Sequence, residues 1–382
     1  QLGNGNDDRS ATGIDTVKYK DGTDVEGAVG ISTHGNTAYI LLANGTVAVF
    51  GEEYDNQNYA SIVSGLNNIL QVSGNYALSI SGEVWKMSKD NIPAKVMGYK
   101  DDNGNEFSIL KIAHGTNHLL ALDTNGNVWT LGANEHGQLG TNSRTASTVP
   151  VKVYKGEQNS GDSYLSGIVD ISASKFVSAA IDVNGDIYRW GANEYGQLGD
   201  GSVSCAYEPI NVTALNGKDI VSVHAGEYHS IALTRDGEVY TWGHNDYGQL
   251  GLGNASIVVS TPKKVESLPE IVSISAGKQH TMVLGADGYV YSFGDNSLGQ
   301  LGAPSKDTSK RSSTPVVAQG LNKVISISIG AGGSATKAVR YDGTLWGWGE
   351  NSNHQIDNTN NRYYAYPVKI DLGDEFNGHI LR

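Results

Sequence analysis

Three histidines recur at one place in this chain: His118 after Gly115-Thr116-Asn117, His229 after Gly226-Glu227-Tyr228, and His280 after Gly277-Lys278-Gln279. Imidazole is a common metal ligand, so three in register could hold a zinc-like ion. Elsewhere the same place is Thr37, Val177 or Ala335, which an obligatory ligand set would not allow. Each histidine is expected instead to hydrogen-bond neighbouring backbone, and no metal is expected. Asp123-Thr124-Asn125-Gly126-Asn127 and Asp182-Val183-Asn184-Gly185-Asp186 resemble the start of calcium loops. Neither has the closing Glu at the required distance, and both fall where a hairpin turn belongs. Asp101-Asp102-Asn103-Gly104-Asn105-Glu106 is an acidic run in an insertion, which turn chemistry does not explain. Gly330-Ala331-Gly332-Gly333-Ser334 is followed by no helical pattern that would aim amides at a phosphate, and reads as a loosened strand. The chain contains no Gly-x-Ser-x-Gly elbow, HExxH helix or CxxC pair, and no spacing marks a carboxylate pair. No catalytic residue and no cofactor are expected.

Binding chemistry is better represented. Tyrosine supplies contact area and a hydroxyl at little entropy cost. It gathers where the chain departs from its own regularity: Tyr54 and Tyr59, Tyr99 before the acidic run, Tyr154 and Tyr164 flanking a polar insertion, Tyr207, and Tyr363 with Tyr364. These eight are the candidate partner-binding residues, against the alternative that their rings merely cover strand edges. Tyr195 and Tyr247 lie inside a recurring corner and are expected to be structural.

The elements that position them come from an internal repeat. Ile220-Val221-Ser222-Val223 alternates as a half-buried strand, and Ser230–Thr234 and Glu238–Trp242 follow, joined through Asp236-Gly237. Comparable turns stand at Asn44-Gly45, Ser81-Gly82, Asn125-Gly126, Asn184-Gly185, Asp287-Gly288 and Asp342-Gly343, so the unit occurs seven times. After each turn a strand ends on one large apolar residue: Phe50, Met87, Leu131, Trp190, Trp242, Phe293 and Trp348. Four units then carry a corner, GANEHGQLG from Gly132, GANEYGQLG from Gly191, GHNDYGQLG from Gly243 and GDNSLGQLG from Gly294; in the seventh it decays to GENSNHQID from Gly349. A fourth strand opening on proline is expected at Pro93, Pro150, Pro209, Pro262, Pro315 and Pro367. Four short strands, repeated radially, describe a propeller blade, and closure into a ring removes exposed edges.

The pattern AGxxHSxAL, DGxVYxWGxNxxGQLG and PxxV, standing here as Ala225–Leu233 and Asp236–Gly251, resembles the RCC1-repeat family (regulator of chromosome condensation). The resemblance implies an all-β fold, a seven-bladed β-propeller with four-stranded blades. One domain over 1–382 is expected, with repeats near 28–68, 69–108, 109–167, 168–219, 220–270, 271–323 and 324–370. Residues 1–27 are expected to complete the closing blade: Gln1-Leu2-Gly3 reads as the end of a corner, and Thr16-Val17-Lys18-Tyr19 as an outer strand. Activities known in the family include guanine-nucleotide exchange on a small GTPase, ultraviolet sensing and secreted inhibition of β-lactamases.

Composition narrows the class. With 27 basic against 40 acidic residues the net charge is -13, and no dense Lys/Arg run offers a phosphate-tracking face, so nucleic acid is not an expected partner. The single cysteine, Cys205, excludes an intrachain disulfide framework. No apolar run reaches the roughly 18–20 residues of a membrane span. Low lysine, abundant Asn, Gly, Ser and Tyr, and the lone cysteine point to an extracellular or bacterial-surface setting. The expectation is a monomeric, non-catalytic module that presents variable loops to a protein partner, such as a secreted or surface-exposed bacterial binder or inhibitor. A carbohydrate-binding or spacer propeller and an exchange-type regulator are the alternatives.

Overall fold

The computed structural model describes residues 19–21, 23, 25–34, 37–51, 60–88, 92–98, 108–158, 161, 163–304, 310–329, 333–352, 356 and 361–370. Their strands form seven four-stranded antiparallel sheets, each in up-and-down order, the architecture of a seven-bladed β-propeller. Two compact units share them. The first holds the described residues up to Val183 together with Ala206–Pro209; the second holds Asn184–Cys205 and Ile210 onward.

Blade five shows why the repeat folds as it does. Its strands are Ile220–Ala225, His229–Thr234, Val239–His244 and Val258–Lys264. The two middle strands are buried at every position, polar side chains such as Ser230 and Thr241 included, so their burial does not alternate as it would in a sheet with one face in solvent. Gly237, at φ +79°, makes the turn between them, and the Glu238 N–H donates to Thr234 Oγ1 at 3.0 Å. The Gly237 carbonyl then accepts the N–H of Ile271, the first residue of blade six, at 3.0 Å. Gly45, Gly82, Gly126 and Gly288 receive Ile69, Ile109, Ile168 and Val324 in the same way.

The core lies between successive blades. In the first unit, Leu41, Val47 and Val49 of blade one pack with Leu66 of the same repeat and with Ile69 and Met87 of the next. In the second, Ile231, Leu233 and Val239 of blade five pack with Ile271, Ile274 and Phe293 of blade six. The expected column of large residues from Phe50 to Trp348 is buried throughout. Removing a ring such as Trp242 would cost about 3–5 kcal/mol. The second residue of each first strand (Val29, Leu70, Leu110, Val169, Val221, Val272 and Ile325) sits at a register shift and points to solvent.

The recurring corner is a set of hydrogen bonds completed by the following blade. In Gly243–Gly251, Asn245 Oδ1 accepts the Leu250 N–H at 3.1 Å and Gln249 Oε1 accepts the Tyr247 N–H at 3.0 Å. The Asn bond recurs at Leu139, Leu198 and Leu301, and it survives in the decayed corner as Ile356 N–H to Asn351 Oδ1 at 2.8 Å. The glycines allow contact. A Cβ on Gly248 would stand 2.6 Å from Ser313 Cα in the outer strand of blade six, and one on Gly251 would stand 2.9 Å from the Phe293 ring.

Two expectations about outer strands are revised. Only Ala94–Met97 begins directly after its proline. In Ser147–Lys152, Ala206–Asn211, Val258–Lys264, Arg311–Val317 and Tyr363–Lys369 the proline is interior. Thr241 pairs with Lys263 and Gly243 with Val259, so Ser260, Thr261 and Pro262 arch past Trp242. Pro150, Pro315 and Pro367 close equivalent arches. An arch has no ladder bond for proline to lose, so the residue marks the bulge and not the strand start. At the N-terminus, Gln1-Leu2-Gly3 and Thr16-Val17-Lys18 lie outside the described residues; Tyr19 forms a single parallel bridge with Ala60, beside the outer strand of blade one.

Candidate interaction surface

Three of the candidate tyrosines lie on segments joined by backbone hydrogen bonds in the first unit. After the outer strand Ser147–Lys152 the chain makes a latched loop. The Lys155 N–H donates to Ser163 O at 3.1 Å, Gln158 Nε2 to Ser166 O at 2.7 Å, and the Ser166 N–H back to Gln158 Oε1 at 3.0 Å. Tyr154 and Tyr164 therefore face each other as a bridge pair, their ring centroids 5.8 Å apart and tilted by 45°. Lys152 Nζ lies 5.7 Å from the Tyr164 ring and 4.9 Å from the Trp129 ring, within cation–π range. The corner 137–142 ties in the third ring. Its Gly140 carbonyl accepts the Tyr154 N–H, while its Asn142 N–H donates to Tyr207 O, both at 2.9 Å. Glu157 N–H reaches Pro209 O at 2.9 Å, fastening the loop to the strand that carries Tyr207. All three rings remain near 40 % exposed.

The other candidates separate. Tyr363 and Tyr364 are neighbours on an edge strand and so point to opposite faces. Tyr363, opposite Glu350, is exposed, whereas Tyr364 packs against the cluster containing Leu321 and Trp348, its hydroxyl accepting from Asn361 Nδ2 at 3.0 Å. Tyr54, Tyr59 and Tyr99 lie outside the described residues, as do Asp101–Glu106 and Gly330–Gly332.

In the second unit the structure gathers Tyr195 and Tyr247, which the sequence reading assigned to scaffold, with two further rings. Tyr195, Tyr228 and Tyr247 surround His244 at centroid distances of 4.7, 6.3 and 6.4 Å. Gln249 Nε2 donates to His244 Nδ1 at 2.9 Å, so His244 Nε2 carries the proton and donates to Asp246 Oδ2 at 3.1 Å. The available signal was the corner itself: repeat five has His244 where repeats three and four have Ala133 and Ala192.

The three aligned histidines are not a metal set. His118 Nε2 lies 3.0 Å from Ser178 Oγ, His229 Nε2 2.9 Å from Thr281 Oγ1 and His280 Nε2 3.3 Å from Thr336 Oγ1. Each hydroxyl gives its own proton to a corner carbonyl, at Gln138, Gln249 and Gln300. A hydroxyl has one proton, so each imidazole must donate from Nε2 and is the neutral Nε2–H tautomer. The expected bond to neighbouring backbone is replaced by this relay to the next blade. Among the described residues, Nδ1 is buried without a partner in all three rings. Each ring lies on a glycine; at Gly226 a Cβ would stand 2.4 Å from His229 Cε1. Burial lowers His118 and His229 to about 3 and His280 to about 4, which keeps all three neutral. Asp123 is likewise consumed by its turn: it accepts from the N–H groups of Asn125 and Asn127 and from Trp129 Nε1, leaving no calcium loop.

Comparison with known proteins agrees with this architecture. The RCC1-like domain family matches residues 1–331. Human HERC6, a probable E3 ubiquitin-protein ligase, is 32 % identical over 252 residues, covering 65 % of this chain and 24 % of HERC6. The ultraviolet-B receptor UVR8 of Arabidopsis thaliana is 34 % identical over 250 residues, covering 65 % of this chain and 54 % of the receptor. The chain thus spans about a quarter of the first relative and about half of the second. Among solved structures, Prp20p of Saccharomyces cerevisiae superposes with a TM-score of 0.65 at 21 % identity, covering 90 % of this chain and 77 % of its own. Human WBSCR16 gives 0.64 at 20 %, covering 92 % and 84 %. These structural likenesses concern the fold alone; with the family match over most of its length, the chain belongs to the RCC1-like domain family.

Proposed function

We propose that this chain is a protein-interaction module whose binding surface includes Tyr154, Tyr164 and Tyr207. The observation that carries the reading is a half-exposed pair, Tyr154 and Tyr164, with Lys152 beside Tyr164, on a loop latched by Gln158 and bonded to the strand that carries the half-exposed Tyr207. A loop already ordered before binding loses little conformational entropy on association, so more of the contact energy becomes affinity. The RCC1-like fold supports a protein-interaction or regulatory role. Prp20p, a structural neighbour, has been described with its binding to Gsp1p and histones, and this supports protein partners for the architecture. The net charge of -13 favours a partner with a basic face. A secreted or surface-exposed inhibitor is the sharper form of the proposal, and it rests on composition.

The carbohydrate reading asks for two carboxylates beside the tyrosines. Among the described residues, Tyr154 and Tyr164 are instead in contact with each other, Tyr164 with Lys152, and Tyr207 with Gly137 of the corner. The test is affinity capture on the immobilised chain from a bacterial secretome, a β-lactamase panel and a host lysate, repeated with Tyr154→Ala/Tyr164→Ala. A saturable protein partner lost from the double variant, with an unchanged melting temperature, is the expected result. Undiminished capture by the variant, or a glycan-array hit with no protein partner at micromolar concentration, would overturn the proposal.

A further inference from the structure

Three acid–tyrosine dipeptides, Glu194-Tyr195, Glu227-Tyr228 and Asp246-Tyr247, stand in the second unit. Two lie in the corners of blades four and five, the third in the turn before His229. The fold brings their rings together. The Tyr195 and Tyr228 centroids are 4.9 Å apart with the planes tilted by 53°, and Tyr195 meets the His244 ring at 4.7 Å, edge to face. Tyr247 lies 6.4 Å from the same imidazole. All three tyrosines are partly exposed. Hydrogen bonds fix the segments that carry them. The N–H groups of Tyr195 and Tyr247 donate to Gln197 Oε1 and Gln249 Oε1 at 2.9 and 3.0 Å, and the Tyr228 carbonyl accepts the His244 N–H at 3.0 Å.

The electrostatics of this cluster are one-sided. His244 accepts at Nδ1 from Gln249 and donates from Nε2 to Asp246, so its ring is neutral. The Asp246 side chain keeps 45 % exposure, and among the described residues His244 is its one hydrogen-bond donor. Arg311 approaches Asp246 but is directed to its main chain, with Nη1 donating to the carbonyl. Glu194 is exposed and Glu227 partly so. Carboxylates and the negative faces of aromatic rings attract the same kind of group, a cation. The rings touch one another, so they form a platform that encloses no hollow. A flat cation can lie on such a platform, whereas an ammonium gains most when rings surround it.

We propose that Tyr195, Tyr228 and Asp246 form a docking site for an arginine side chain of a protein partner, the guanidinium stacking on the tyrosine platform and turning its N–H edge to the Asp246 carboxylate. Arginine is planar, weakly hydrated and able to stack and donate at once, which lysine is not. The acidic residue beside each ring supplies the charge complementarity, in a chain whose net charge is -13. Because the corners are already ordered, little entropy is lost when the side chain docks. The inference rests on the reading of the chain as a protein-interaction module, but on other residues than Tyr154 and Tyr164.

The experiment titrates the whole chain, its tyrosine rings labelled with carbon-13, with Nα-acetylarginine amide and separately with Nα-acetyllysine amide, and follows the ring signals by NMR. Tyr195→Phe, Tyr228→Phe and Tyr247→Phe each remove one signal and so assign it, while leaving a ring in place. The Tyr195 and Tyr228 signals should move along a saturating curve with the arginine compound while those of Tyr154 and Tyr164 stay still. The lysine compound should bind about threefold more weakly. Asp246→Asn keeps an acceptor for His244 but loses the charge, and should weaken arginine binding by about fivefold. Unmoved Tyr195 and Tyr228 signals, equal binding of the two compounds, or undiminished binding by Asp246→Asn would overturn the proposal. Movement at Tyr154 and Tyr164 alone would overturn it while supporting the other surface. The probes need no protein partner, so a failed affinity capture leaves this result independent.

Discussion

Lowering the pH from 7 to 5 should destabilise this protein far more than its exposed groups would suggest. His118, His229 and His280 are held neutral by burial, with pKa values of about 3, 3 and 4. In the unfolded chain each returns to near 6.5, so at pH 5 the unfolded state binds three protons that the folded state refuses. A group with a depressed folded pKa contributes stability above its unfolded pKa and loses it as the pH falls toward the folded value. At pH 5 an unfolded histidine is protonated about thirty to one, which is about 2 kcal/mol each and about 6 kcal/mol for the three. His114, lowered to about 4 by burial and by the nearby charges of His34 and Lys86, acts in the same direction. The assay is urea unfolding followed by tryptophan fluorescence at pH 7, 6 and 5, since Trp242 and Trp348 are fully buried. His229→Val, which copies the natural Val177 of repeat four, should remove about 2 kcal/mol of the pH dependence. An acid loss below about 1 kcal/mol in the wild type, or the whole loss persisting in His229→Val, would refute the assignment of neutral buried imidazoles.

Other outcomes follow from the same contacts. Thr281→Val strands the His229 Nε2–H and the Gln249 carbonyl together; urea midpoints should show a loss of about 2–5 kcal/mol, and a loss under about 0.5 would contradict the relay. Gly248→Ala and Gly217→Ala both force a side chain into positive φ, +75° and +72°, but only Gly248 faces backbone, with Gly217 open for 4 Å around. Gly217→Ala should therefore cost about 1 kcal/mol and Gly248→Ala well beyond it, and equal costs would show that the corner does not press on Ser313. Tyr154→Ala and Tyr164→Ala should leave the melting temperature within about 2 °C of wild type, because both rings are already half in solvent.

The repeat, its turns and its buried column were legible because each is periodic: Gly45 through Gly343, and Phe50 through Trp348, recur with the blade. The relay was half legible. Ser178, Ser230, Thr281 and Thr336 each follow the histidine column immediately, yet no single repeat contains both bonding partners. Ser230 illustrates this, keeping its bond to Gln197 O although the preceding blade offers Val177 and no histidine. The prolines misled because a residue without an N–H fits an arch as well as a strand start. Tyr154, Tyr164 and Tyr207 were legible as departures from the repeat, but the joining of their segments depends on Asn142 and Glu157 reaching across to a later strand. Tyr195 and Tyr247 were read as scaffold because they sit in the corner, while their grouping with Tyr228 around His244 is set by adjacency between blades.

The corners that lean on their successors also determine what this fold can tolerate as a linear array. Gln249 has its carbonyl satisfied by Thr281, Gly251 is covered by Phe293, and the Gly237 carbonyl awaits Ile271. A blade excised on its own would lose the acceptors or donors of both junctions, so the natural folding cassette is a junction, the second half of one repeat with the first half of the next. Stability in such a chain should add up by nearest neighbours. Amide protons at the junctions should then exchange in groups that straddle repeat boundaries, and transplanting a single repeat should succeed only when its downstream neighbour travels with it.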